Sequence, residues 1–188
     1  MLIAPSDSLA EVWQTLKQEL RRGAVDKKHP FRFVVMSTAG EGVHSRYVVL
    51  RQVQEDFGLV IYTDARSRKL PQLQADHRCQ LLFYHPKKQV QVIVSASVDV
   101  HQNGSLFDVH LPKAQGYAAR SYTTVLPPGT PIAKPKDGMQ WDESTLAENF
   151  RVLVTQPYAV ELLQLGRGEH LRARFHASDN WAGSWLVP

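Results

Sequence analysis

The chain has a single cysteine, Cys79, in 188 residues. That excludes an internal disulfide, and no thiolate zinc site is expected. Long apolar runs are also missing: no stretch approaches the ~18 residues of a membrane-spanning helix. The opening MLIAPSDSLAEVW has no basic segment followed by an apolar core, so no signal peptide is expected. These absences predict a cytoplasmic protein with no membrane partner. The eight histidines form no His-x-His or His-Glu-x-x-His pattern, so no metal site is expected. There is no Gly-x-Gly-x-x-Gly for a dinucleotide and no Gly-x-Ser-x-Gly around Ser184. Cys79, beside Leu81 and Phe83, reads as a buried thiol rather than a nucleophile.

What is present fits one globular domain over residues 1–188, with 43% apolar and 21% charged residues. Lysine and arginine total 22 against 18 acids, a net charge of +4. That balance favours an anionic partner, either nucleic acid or a phosphorylated small molecule.

Periodicity predicts the elements. Asp7 or Ser8 caps a first helix carrying Leu9, Val12, Trp13, Leu16 and Leu20, with Gly23 as its end. Strands are expected at Arg32–Thr38, His44–Val53 and Phe57–Asp64, the last two joined by Gln54-Glu55-Asp56. A short helix, Arg68–Ala75, accepts Pro71 in its first turn. Cys79–His85 and Gln89–His101 are further strands. In the second, Val90, Val92, Val94, Ala96, Val98 and Val100 share one face. Two short helices are expected within Ser105–Ser121. Residues 127–135 hold Pro127, Pro128, Pro131 and Pro135, so an irregular loop is expected there. Thr145–Thr155 has helical spacing and a capping-box form, Thr145-x-x-Glu148. Tyr158–Leu165, Glu169–Ala177 and Trp181–Val187 read as closing strands, with Trp181 and Trp185 as packing residues. Roughly seven hairpin-connected strands with segregated helices predict an α+β, mainly antiparallel barrel.

The chemistry-bearing stretch runs from Arg46 to Lys69. Arg46 and Arg51 frame Tyr47-Val48-Val49-Leu50 at odd spacing, which points them to opposite faces of a strand. Ser67, Arg68 and Lys69 sit at a helix start, a favourable place for a phosphate. Solvated surface cations are the plainer explanation of the same residues. In the last hairpin His170, Arg172 and Arg174 share a face by period two. Burying such a face needs an anion, and a solvent-facing strand does not.

In this order and with these gaps, Arg46-Tyr47-Val48-Val49-Leu50-Arg51, Tyr62-Thr63, Ser67-Arg68-Lys69, Leu81-Leu82-Phe83 and Gln89-Val90 resemble the pyridoxamine 5'-phosphate oxidase family. Val160-Glu161-Leu162-Leu163-Gln164, Arg174-Phe175 and Trp185-Leu186-Val187-Pro188 extend the resemblance to the C-terminus. It implies a split β-barrel with peripheral helices, a homodimer, and FMN at the interface. The implied FMN contacts are Arg46, Tyr47, Val48, Val49, Leu50, Arg51, Tyr62, Thr63, Ser67, Arg68, Lys69, Gln89 and Arg174. Arg46, Arg68 and Lys69 would hold the phosphate, Gln89 would reach the ring, and Arg174 would come from the other subunit. Arg51, His170 and Arg172 would face a small-molecule substrate.

The vitamin B6 half of the pattern departs from the family. Arg51 stands where lysine is usual and Leu163 where tryptophan is. The Arg-Leu-His clamp reads His170-Leu171-Arg172. The Tyr, Arg and Ser that grip the substrate phosphate have no match around Phe107, His110 and Lys113. The resemblance therefore implies an FMN-dependent oxidoreductase of undetermined substrate. Its rivals are a true pyridoxamine or pyridoxine phosphate oxidase, a flavin-binding module without turnover, and last a nucleic-acid-binding small barrel. The basic residues cluster at a helix start rather than along an aromatic-studded surface, which disfavours the last.

Overall fold

The computed structural model describes residues 1–166 and 168–188. Helix α1 (Leu9–Val25) starts at Ser8, whose hydroxyl accepts from Glu11 N–H while the Glu11 carboxylate takes the Ser8 N–H at 2.8 Å. This reciprocal cap fixes the register that buries Val12, Trp13, Leu16 and Leu20. The helix does not end at Gly23 but runs to Val25. Gly23 serves packing: a Cβ there would lie 2.8 Å from Phe31 Cβ.

The strands are β1 (Phe33–Ala39), β2 (Val43–Val53), β3 (Leu59–Asp64), β4 (Arg78–His85), β5 (Val90–His101), β6 (Phe150–Gln164), β7 (Leu171–His176) and β8 (Ser184–Leu186). They form one antiparallel eight-stranded sheet, ordered β3-β2-β1-β4-β5-β6-β7-β8. Pairing of β3 with β6, from Leu59↔Thr155 to Asp64↔Phe150, closes the first six into a barrel. β7 and β8 continue the sheet beyond β6, so β8 is its outer edge. The fold is α+β, with helices outside the barrel.

β6 makes closure possible by changing partner along its length. Residues 150–155 pair with β3, and residues 159–164 pair with β7. The register slips at Pro157 and Tyr158, where an irregularity interrupts the β5 ladder. A bulge is one of the few places in a sheet that tolerates proline, and it bends the strand.

This corrects the helix expected over Thr145–Thr155. Helix α4 is only Leu146–Asn149, and Thr145 makes no side-chain cap there. Phe150-Arg151-Val152-Leu153-Val154-Thr155 is rich in β-branched residues, and pairing on both edges outweighs the helical spacing. The closing strand also shrinks to Ser184–Leu186. Trp181 lies before it and stacks on Trp13, centroids 4.7 Å apart.

The barrel interior holds Met36, Leu50, Ile61, Leu81, Phe83 and Leu162, with α1 packed against it. On β5 the buried face runs from Val90 to Val98, while Val100 is 38% exposed. A second cluster lies outside the barrel wall. There Val60, Phe150 and Val152 meet Phe107 of α3 (Gly104–His110) and Tyr122. Each fully buried large apolar side chain contributes about 1.5–3 kcal/mol.

Candidate functional site

A cationic corner forms where β1, β2, β3 and α2 (Lys69–Ala75) meet. Arg46 Nη1 donates to Thr38 Oγ1 at 2.7 Å and to the Met36 carbonyl at 3.2 Å. Its Nη2 donates to Gln72 Oε1 at 3.0 Å. Lys69 Nζ donates to Thr63 Oγ1 at 2.8 Å and Ser67 Oγ at 2.9 Å. Thr63 and Ser67 are buried; Arg68 is exposed. Among the described residues, no carboxylate oxygen lies within 4.0 Å of the Arg46, Arg68 or Lys69 nitrogens. Asp64 is taken instead by Arg66, 2.7 Å away. Burial lowers the Arg46 ionisation. Burial, and then the Arg46 charge, push Lys69 down to about 8. Two neighbouring cations, part-buried and held by neutral groups, are electrostatically costly until an anion joins them.

The barrel is split beside that corner. The β2–β3 ladder contains only Leu50↔Ile61, Gln52↔Val60 and Val53↔Leu59. Residues 46–49 of β2 therefore have β1 on one edge and no ladder to β3 on the other. That edge of residues 46–49 is left without a strand partner, so its backbone groups are open to a polar ligand.

The expected site residues divide by face. Val48 and Leu50 turn into the core, so only their backbone can serve a ligand. Tyr47 is 74% exposed. Arg51 sits at a register shift, and its guanidinium stands 5.0 Å from the Tyr62 ring centroid. Among the described residues, its buried Nε has no hydrogen-bond partner. Tyr62 shares a 2.7 Å hydrogen bond with His110 Nδ1. Burial pushes the Tyr62 hydroxyl up and His110 down, so both stay neutral near pH 7. Arg46 and Arg51 thus have separate surroundings, in line with their odd spacing.

Gln89 and Arg174 lie elsewhere. Gln89 is in the β4–β5 turn with φ +51°, and Arg174 is on β7. Round the barrel, β3 and β6 stand between β2 and β7 on one side, and β1, β4, β5 and β6 on the other. Arg172 and Arg174 share one partner, Glu161, at 2.6 and 3.1 Å. Burial raises the Glu161 carboxyl, but hydrogen bonds from both arginines outweigh it and hold it low. The expected cationic face is therefore half-neutralised from β6. His170 precedes β7, and its Nδ1 accepts from Gly166 N–H at 3.2 Å. Cys79 is buried, and burial pushes its thiol up to about 12, unfit for nucleophilic work. The hydrogen bonds that tie Thr38 and Gln72 to Arg46, His110 to Tyr62 and Glu161 to Arg172 escaped the sequence reading because they join residues 8–48 positions apart.

The family model "Pyridoxamine 5'-phosphate oxidase, FMN-binding domain" matches residues 10–102. That span carries the cationic corner, the split edge of β2 and the Gln89 turn.

Residues 10–102 form a domain of the pyridoxamine 5'-phosphate oxidase FMN-binding family.

Solved structures show the same split barrel. A pyridoxamine 5'-phosphate oxidase-related, FMN binding protein of Nostoc punctiforme superposes with a TM-score of 0.74 at 20% identity, covering 100% of each chain. PhzG of Burkholderia lata, solved with tetrahydrophenazine-1-carboxylic acid, gives 0.72 at 17% identity over 98% of this chain and 94% of its own. General Stress Protein 26 of Bacillus anthracis gives 0.51 at 17% identity, over 80% of this chain and 98% of its own. At these identities the likeness establishes the fold alone. A search of curated proteins by sequence gives no match. Among the described residues, no helix is long and apolar enough to cross a membrane.

Proposed function

We propose that this chain is an FMN-dependent oxidoreductase, working as a homodimer on a small substrate other than a B6 phosphate ester. The observation that carries the reading is the cationic corner of Arg46 and Lys69 beside the open edge of β2. A flavin phosphate is the anion that corner lacks. Arg46, Ser67, Arg68 and Lys69 would hold it, since guanidinium and ammonium groups suit a phosphate dianion. The backbone of residues 46–51, with Tyr62 and Thr63, would line the ring. Gln89 and Arg174 of the partner subunit would complete the site. Bound flavin supplies two-electron redox chemistry; the chain binds, orients and shields it.

The dimer reading rests on the outer face of β1, β2 and β4. Phe33, Val35, Tyr47, Leu82 and Tyr84 line an open apolar groove of about 600 Å³. Phe33, Tyr47 and Tyr84 are each at least 50% exposed. A rimmed apolar patch of this kind marks an interface. Across β5 and β6 the same face becomes polar and ends at Glu161, Arg172 and Arg174, which suits a two-fold contact leaving Arg174 near the partner's site.

The altered B6 clamp is supported by burial. Phe107 is 6% and His110 2% exposed, both turned toward the second core, and Lys113 points to solvent. Arg172 is engaged by Glu161. PhzG, on the same fold, was solved with a tricyclic carboxylic acid, so the architecture accommodates ligands unlike B6.

The test is an absorbance spectrum of the purified protein, an FMN titration and a pyridoxine phosphate oxidation assay. Flavin with no B6 turnover supports the proposal. Flavin with B6 turnover makes the chain a true oxidase of that ester. Bound flavin that no physiological donor reduces makes it a carrier. Absence of flavin binding overturns the reading.

A further inference from the structure

The base of α1 holds a buried polar cluster that the flavin site does not use. Glu19 is 5% exposed, yet three groups reach it: Arg22 at 2.6 Å, Lys88 at 2.9 Å and His29 Nε2 at 3.2 Å. The His85 ring stands edge-on to His29, centroids 5.8 Å apart. Glu19, His29 and His85 offer ligand atoms within 4.8 Å of one another, the donor set of a small metal site. The ring nitrogens argue against a metal. His29 Nδ1 accepts from Phe31 N–H and His85 Nδ1 accepts from Lys88 N–H, each at 3.2 Å. A neutral ring then carries its proton on Nε2, the atom a metal would need. The cations that do sit on Glu19 are Arg22, from its own helix, and Lys88, from the β4–β5 turn.

Lys88 is also the residue before Gln89. Gln89 has φ +51°, a left-handed backbone that non-glycine residues adopt only when their surroundings enforce it. The constraints are visible. Lys88 Nζ is tied to α1, and its N–H is tied to His85. Gln89 N–H donates to the Pro86 carbonyl at 3.3 Å, and the Gln89 carbonyl accepts from Leu165 N–H at 2.9 Å.

We propose that Glu19, His85 and Lys88 form an acid-sensitive latch that holds the Gln89 turn in its flavin-binding shape. They are positioning residues; the role of Gln89 itself rests on the FMN reading above. The groups facing the cluster are Glu19 and Arg22 of α1, His29 of the following 3-10 turn, His85 of β4 and Lys88 of the β4–β5 turn. Burial, and then the Lys88 charge, hold His85 below its ordinary 6.5. It is neutral and able to accept from Lys88 N–H above that pH. As pH falls below 6.5, the opened turn takes up a proton more readily than the closed one, and the latch weakens. Glu19, pushed up by burial but held below 4.5 by Lys88 and Arg22, weakens it further only at lower pH.

Two readouts separate the latch from the flavin reading. The first is amide hydrogen exchange on ligand-free protein. Lys88→Met should speed exchange at Gln89 about tenfold or more while the β5 core at Val92 and the melting temperature stay near wild type. Lys88→Arg should restore protection. The second is FMN affinity, which should weaken about tenfold between about pH 7.5 and about pH 5.5 in wild type. His85→Asn keeps an acceptor without a titrating ring and should flatten that dependence. Unchanged Gln89 exchange in Lys88→Met overturns the latch. Faster exchange with unchanged FMN affinity overturns its link to the flavin. If wild type binds no FMN, the functional reading fails, and the exchange data still decide the latch.

Discussion

Arg46 and Lys69 converge on one corner from β2 and from α2, and neither meets a carboxylate. The Lys69 ammonium is held at about 8, well under its ordinary 10.5, chiefly by burial and then by Arg46. Between those values the unfolded chain keeps the proton that the folded chain has released, so ligand-free stability rises with pH across that window. A bound phosphate reverses the preference and favours the ammonium.

As Lys69 loses its proton, FMN affinity should therefore fall by up to about tenfold per unit above about pH 8. Lys69→Met should abolish that slope and weaken FMN about hundredfold, without loss of ligand-free stability. Equilibrium titration by flavin fluorescence across the pH range checks both.

Arg174→Ala should weaken FMN retention if this side chain completes the partner's site. Glu161 would keep Arg172 as its partner in that variant, so the fold should survive, at a cost of about 0.5–1 kcal/mol. Flavin affinity equal to wild type would show that the final hairpin does not reach the cofactor.

Leu82 and Tyr47 lie on the outer face, so a charge there should disturb association rather than folding. Leu82→Glu is expected to yield a folded monomer with impaired flavin binding. Sedimentation velocity, with and without FMN, reads the two effects together. A dimer of unchanged affinity would move the interface elsewhere.

Gly183 tests the C-terminal packing. Its φ is +79°, and a Cβ would stand 2.5 Å from Phe175 Cδ1. Gly183→Ala should destabilise by about 2–3 kcal/mol, combining backbone strain with overpacking. Urea unfolding would register a lower midpoint at constant slope.

The legible parts of this molecule are those decided locally. The period-two run from Val90 to Val98 becomes the inner face of β5, and Ser8-x-x-Glu11 caps α1. Arg46, Ser67 and Lys69 stand out in the sequence because cations and a hydroxyl on a strand and at a helix start are the residue types a phosphate would call for. Phe150–Thr155 misleads because its spacing suits a helix, while two strand partners, far apart in sequence, decide its structure. Thr38 and Gln72 support Arg46 only because α2 folds back over β1. The Glu19–Lys88 contact spans 69 positions and has no motif to announce it.

The most direct test of the central claim is to titrate ligand-stripped protein with FMN and, separately, with riboflavin, which differs only by the phosphate. If the Arg46–Lys69 corner exists to hold that phosphate, FMN should bind one per chain and riboflavin about hundredfold more weakly. Equal affinity for the two, or no binding of either, would contradict the account.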